Sequence, residues 1–314
     1  MRKILLASTA LVALGVSAAS ADISISGAAK WTYTAHSSTG DTAADSNNSF
    51  SLTNDLTVAS SFASDNGLTY GTSHTIDESA DGTSDGQKMY VTGSFGEVRF
   101  GGDSAGDAFK TNADVTDGES AVAAGFHGAS VTGASGTNGI SYFTPSVNGF
   151  SAGVSYGDAG AAAGANNDAT EIGAKYTQSV GDATVTLKYA STDVSETDAG
   201  AADGYSATSM GASVAMGDLA ITVSSNGKKA DTSGAGDESG TGIGVSYVLS
   251  EGLTLKAHTM SSDDNDDASV DNSETAASLT YVIAPGLTGN VAYTDSETAG
   301  KTGTATTAYL KVSF

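Results

Sequence analysis

The chain has 314 residues, with 36 acidic against 13 basic side chains, a formal net charge of −23, 40 glycines, two prolines and no cysteine. Such acidity excludes nucleic acid as a partner, because the surface repels phosphates, and without cysteine no disulfide framework staples the fold. The bias to Gly, Ser, Thr, Ala and Asp disfavours a helical bundle and suits strands punctuated by many turns.

The N-terminus reads Met1, Arg2, Lys3, then an apolar run from Ile4 to about Val16, then Ala19-Ser20-Ala21. This pattern predicts a secretory signal peptide over 1–21, cut before Asp22, and a mature chain of 22–314. The run is too short for a membrane-spanning helix. Beyond it, no segment approaches the roughly 20 consecutive apolar residues that such a helix needs. A soluble β-fold and a transmembrane β-barrel both remain, and the mean hydropathy of −0.10 fits either.

The first expected strand places Ile23, Ile25, Gly27, Ala29, Trp31 and Tyr33 on one face and Ser24, Ser26, Lys30, Thr32 and Thr34 on the other. The same two-faced pattern recurs in Ala183-Val185-Leu187-Tyr189 against Thr184-Thr186-Lys188, and in Leu253-Leu255-Ala257 against Thr254-Lys256-His258. Tight-turn signals follow at Asp65-Asn66-Gly67, Phe95-Gly96-Glu97, Val147-Asn148-Gly149, Val180-Gly181-Asp182, Met216-Gly217-Asp218, Ser250-Glu251-Gly252 and Ala284-Pro285-Gly286. Most neighbouring turns lie about 30 to 36 residues apart, a spacing that fits strand, long loop, strand, short turn. Seven such turns and two chain ends give about sixteen antiparallel strands, with short connections on one side and long polar ones on the other.

A dry-cored β-sandwich would alternate as well. Its inner face would be rich in Leu, Ile, Val and Phe, whereas many apolar-face positions here are Gly or Ala. Small residues are tolerated on a face that meets lipid. Rings near the strand ends, such as Trp31, Tyr156, Tyr189, Tyr281, Tyr293 and Phe314, fit interfacial girdles.

Three stretches carry a family resemblance. Val91-Thr92-Gly93-Ser94-Phe95-Gly96-Glu97-Val98-Arg99-Phe100-Gly101-Gly102 resembles a strand-turn-strand signature of the general trimeric porins of Gram-negative bacteria. Asn138 to Phe150, through Tyr142, Phe143, Pro145 and Asn148, is similar to the strand and turn after that family's constriction loop. Ala308-Tyr309-Leu310-Lys311-Val312-Ser313-Phe314 is similar to its last strand, which ends in Phe. The resemblance covers the whole mature chain and looks closest to the alphaproteobacterial branch. It implies an all-β transmembrane antiparallel barrel with the third long loop folded inward. It further implies a homotrimer in the outer membrane, reached through the periplasm, recognition of the Phe314 strand by the barrel-assembly machinery, and passive diffusion of small hydrophilic solutes. Family members often present an arginine cluster inside the pore. Here Arg2 and Arg99 are the only arginines.

The oversized interval, 101–137, is the expected constriction loop, since a long loop without strands of its own is usually functional. It carries Asp103, Asp107, Asp114, Asp117 and Glu119 against a single Lys110, and strand parity places Lys30, Lys88 and Arg99 on the polar face. An acidic loop facing a basic wall would set a transverse field that favours polar over apolar solutes, and the loop carboxylates with the overall acidity point to a preference for cations. The run Asp263-Asp264-Asn265-Asp266-Asp267 lacks the ligand spacing of an EF-hand. It reads as a solvated loop, with loose Ca²⁺ binding or a cation bridge to lipopolysaccharide as the alternative. No cofactor is expected. No enzyme is expected either: the four histidines are scattered, and neither an HExxH nor a GxSxG motif occurs. The competing reading is a secreted acidic β-rich adhesin or surface-layer protein, which leaves the even turn spacing and the terminal Phe unexplained.

Overall fold

The computed structural model describes residues 21–39, 48–77, 84–102, 104–111, 113, 136–158, 167–196, 204–231, 237–264, 272–298 and 301–314. The expected signal peptide falls almost wholly outside them. Sixteen strands run in chain order: β1 Ala21–Thr39, β2 Ser49–Ala63, β3 Thr69–Asp77, β4 Ser84–Gly93, β5 Gly96–Gly102, β6 Gly136–Phe143, β7 Phe150–Asp158 and β8 Asn167–Val180. They continue as β9 Ala183–Glu196, β10 Tyr205–Met216, β11 Leu219–Ala230, β12 Glu238–Ser250, β13 Leu253–Asp264, β14 Asn272–Ala284, β15 Leu287–Thr298 and β16 Lys301–Ser313. A single helical turn, α1 Ala105–Phe109, follows β5.

Each strand pairs antiparallel with its sequence neighbours, and β1 pairs with β16 to close a barrel. Closure matters because it leaves no strand edge with unpaired amides and carbonyls. The seam runs from Ala28↔Ser313 to Thr39↔Thr302. Beyond it, Gly27 and Phe314 exchange both backbone hydrogen bonds at 3.0 Å, so the last residue is part of the ladder.

All seven expected turns separate the strand pairs, and each contains a glycine at positive φ, from Gly67 to Gly286. Gly149 shows the requirement twice over. Its φ of +82° suits glycine, and a Cβ there would lie 2.0 Å from the Thr177 carbonyl oxygen. On the opposite side most connections are longer, although only 299–300 separate β15 from β16 where a long loop was expected, and the one between β5 and β6 covers 103–135.

Alternation sorts the wall into two faces. In β8, Ile172 is 52% exposed while its neighbour Glu171 is 0% exposed. Ile25, Leu52, Val154, Leu187, Ile243 and Leu310 continue the exposed apolar face around the barrel. The enclosed face instead carries Ser, Thr, Lys, Glu and small residues, including Thr34, Ser155, Thr192, Ser209, Ala276 and Thr294. An apolar band outside and a polar face inside is the reverse of a soluble protein, and suits lipid around an aqueous interior.

Strand length is uneven. The strands from β3 to β7 have 7 to 10 residues, whereas β8 to β16 have 12 to 14. On the outer face of β2 and β3, Asn54, Ser60, Thr72 and His74 share the face of exposed Leu52, Val58, Tyr70 and Ile76 and interrupt the apolar band.

Candidate functional site on the enclosed face of the barrel

The segment after β5 lies along the enclosed face of β7 to β12, and backbone amides fasten it there. Ser104 caps α1 by accepting a hydrogen bond from the Asp107 amide at 3.2 Å. The Ala105 amide donates to Ser155 Oγ at 2.5 Å, and Ser155 donates in turn to Ser141 at 2.9 Å. The Gly106 amide donates to Glu171 Oε2 at 2.9 Å, while Thr192 donates to Glu171 Oε1 at 3.0 Å. The first free amides of a helical turn need acceptors, and an acidic side chain at the N-terminus meets that need.

Past α1 the same device continues. Ser209 Oγ accepts from the Thr111 amide at 2.9 Å and donates to the Thr111 carbonyl, and Ser224 Oγ accepts from the Ala113 amide at 3.1 Å. One side chain from each of β7, β8, β10 and β11 thus holds the segment. Glycines on the same face let it approach. A Cβ on Gly173 would meet the Phe109 ring at 2.4 Å, and one on Gly211 would meet Thr111 at the same distance. Phe109 packs with Ala105, Ala190 and Ala207, and its ring centroid lies 6.0 Å from that of Phe143.

The expected acidic side of the site is only partly described. Asp107 forms an ion pair with Lys110 at 2.8 Å, which compensates its charge locally. Asp103, Asp114, Asp117 and Glu119 lie outside the described residues. The expected basic side divides. Lys30 is on β1, eight strands from β9 in either direction around the ring, with its ammonium 5.6 Å from the Tyr309 ring centroid. Lys88 is on β4, paired with Gly101 and Ser73. Arg99 does not face the segment from across the barrel. It stacks on Phe143 at 4.4 Å, beside Phe109, and forms a 2.6 Å ion pair with Glu97. The reason is topological: β5 leads directly into the segment and pairs with β6, so its side chains share that side of the ring.

Strand parity puts His258 on the polar face. It is on that face but buried, and its Nε2 meets Glu274 Oε1 at 2.7 Å with both side chains fully enclosed. In the acidic run, Asp263 is exposed at the end of β13, Asp264 is described by its backbone alone, and Asp266 and Asp267 lie outside the described residues. Among the described residues no group of three or more His, Cys, Asp and Glu comes together to hold a metal.

Sequence reasoning did not single out Ser155, Glu171, Ser209 or Ser224, because a hydroxyl at an inward position looks like any other. The available signal was glycine inside strands, which marks close approach of another backbone. Gly153, Gly173, Gly211 and Gly242 all sit under this segment or beside it.

A family model described as Gram-negative porin matches residues 7–303. The comparison with curated proteins finds no match. Among solved structures, a mutant of the Rh. blastica porin superposes with a TM-score of 0.67 at 19% identity, covering 93% of this chain and 100% of that one. The trimer form of OmpT, an outer membrane protein of Vibrio cholerae, gives 0.69 at 12% identity over 94% of this chain and 99% of that one. An anion-selective porin from Comamonas acidovorans gives 0.64 at 17% identity, with 94% and 100% covered.

Proposed function

Because the chain belongs to the Gram-negative porin family, we propose that it is an outer-membrane diffusion channel for small hydrophilic solutes and ions, narrowed by the Ser104–Ala113 segment inside the barrel. The observation that carries this is the pairing of a closed sixteen-strand wall, apolar outside and polar within, with a segment bonded to the inner face. Sixteen strands enclose a channel too wide to be filled by side chains alone, so a segment lying on the inner wall reduces the aperture. The adhesin reading has no use for a polar interior. Liposome swelling with sugars of increasing mass tests the proposal: uptake should fall steeply with solute size, and swelling no faster than in protein-free liposomes would refute it.

Two opposed sets of charge govern ion preference in this reading. The net charge of −23 enriches cations at the mouths, while the inner wall carries lysines, and the described carboxylates at the segment are engaged, Asp107 with Lys110, Glu97 with Arg99 and Glu171 with the Gly106 amide and Thr192 hydroxyl. The cation preference is therefore weak, and its acidic side rests on Asp103, Asp114, Asp117 and Glu119.

The same reading extends to assembly as a homotrimer. Copies meet across β2 to β5, where the short strands β3 to β5 and the outward polar side chains of β2 and β3 make a poor contact with lipid. A transmembrane strand takes about 9 to 11 residues, and β5 has 7. A leader over 1–21 and handling of the C-terminal strand by the assembly machinery complete the proposed route to the outer membrane, where lipid and lipopolysaccharide surround the band. The run holding Asp263, Asp264, Asp266 and Asp267 is read as a solvated loop, with loose Ca²⁺ binding as the alternative that calorimetric titration decides.

A further inference from the structure

We propose that the pocket at the C-terminal end of α1 binds small divalent oxyanions, of which phosphate is the type, as they pass along the channel. The inference rests on the channel reading, since the pocket lies on the inner wall. The pocket is half-enclosed, has a volume of about 200 Å³, and is lined by Lys110, Thr111, Thr186, Lys188, Ser213 and Thr222, with Gly211 and Ala212 completing its floor. Its lining thus includes two lysines and four hydroxyl-bearing residues.

Charge supplies the first argument. Lys188 on β9 is the direct cross-strand partner of Lys175 on β8, on the same enclosed face. Like charges placed opposite one another in a sheet repel, and neither lysine has a carboxylate partner among the described residues. The described carboxylates facing this region are occupied: Asp107 pairs with Lys110, and Glu171 accepts from the Gly106 amide and the Thr192 hydroxyl. Among the described residues Lys188 is thus the one lysine of the lining without a carboxylate partner, and Lys175 beside it adds a second positive charge to the field that an anion meets. Lysine serves phosphate well as a point charge whose donors rotate to suit.

The second argument is independent of charge. Thr111 is 9% exposed, and its backbone amide and carbonyl are both bonded to Ser209. Its hydroxyl is buried and makes no hydrogen bond. A buried hydroxyl left unpaired is costly and uncommon, and this one belongs to a residue lining the pocket. A tetrahedral oxyanion offers acceptors to the hydroxyls of Thr186, Ser213 and Thr222, and a turn of the Thr111 side chain about χ1 would bring its unpaired hydroxyl to the same ligand.

The test is a planar-bilayer titration of the purified full-length protein with inorganic phosphate, replacing chloride at constant ionic strength and at a pH where phosphate is mainly dianionic. Wild-type conductance should fall saturably. K175Q/K188Q should raise the half-maximal concentration by about tenfold, as expected when the Lys188 contact and the neighbouring Lys175 charge go together. T111V, which leaves every lysine in place, should raise it severalfold, and K229Q on the exposed Lys229 should leave it unchanged. Heat-modifiable gel migration confirms that each variant is folded. A parallel titration with glucose 6-phosphate against glucose separates the sources: an effect of both phosphates supports the group as carried by a solute, and an effect of inorganic phosphate alone supports the free anion. A conducting channel with no saturable phosphate effect, or with the same effect in K175Q/K188Q, overturns the inference. Absence of conductance would instead contradict the channel reading.

Discussion

Glu171 shows how a single side chain joins the wall to the aperture. Its carboxylate is fully enclosed and takes an amide from α1 on one oxygen and the Thr192 hydroxyl on the other. Hydrogen bonds to charged groups contribute about 1.5 to 3 kcal/mol. Glu171→Ala, which strips the Gly106 amide of its acceptor, should therefore lower stability by about 2 kcal/mol in chemical unfolding of the detergent-solubilised protein, and Glu171→Gln should cost less. The His258–Glu274 pair calls for a different comparison. Removing one partner of a buried pair leaves the other without compensation, at a cost of about 3 to 5 kcal/mol, whereas replacing both with apolar residues of similar volume is close to neutral. Glu274→Ala should thus destabilise far more than the double change His258→Leu with Glu274→Met, measured by the same unfolding.

At the scale of elements, the Ser104–Ala113 segment is seated by glycines as much as by hydrogen bonds. Gly211→Val would place side-chain atoms where Thr111 now lies. The segment should be displaced while the barrel persists, raising single-channel conductance and leaving heat-modifiable migration intact; unchanged conductance would show that the segment does not narrow the pore. Turns and strand number were legible in the sequence because both obey local rules. Asn, Asp and Gly at Asp65-Asn66-Gly67 or Val147-Asn148-Gly149 report a reversal that only certain backbone angles permit, and the period of two reports which face is lipid-like. The anchors were not legible for the converse reason. Ser209 meets Thr111 across 98 residues of sequence, and nothing local distinguishes it from Ser213. Arg99 was misplaced on the same account: parity gives the face of a strand, but which side of the ring a strand occupies depends on the whole closure.

For the whole molecule, the uneven wall and the charge distribution make separate predictions. The chain lacks cysteine, so single cysteines can carry a fluorophore without background labelling. A label at Ser60 or Thr72 on the outer face of β2 and β3 should be shielded from quenching by brominated lipid acyl chains, and one at Val223 on β11 should be quenched; equal quenching would remove β2 to β5 as the subunit contact. Charge predicts a small reversal potential on the cation side in a KCl gradient, which Lys188→Gln should enlarge by removing positive charge from the wall. The central claim is that this barrel is an open aqueous pore. Single-channel recording of the purified protein in a planar bilayer tests it most directly: stepwise insertion of uniform conductances that rise in proportion to bulk salt is the predicted result, and folded, membrane-inserted protein that passes no current would contradict it.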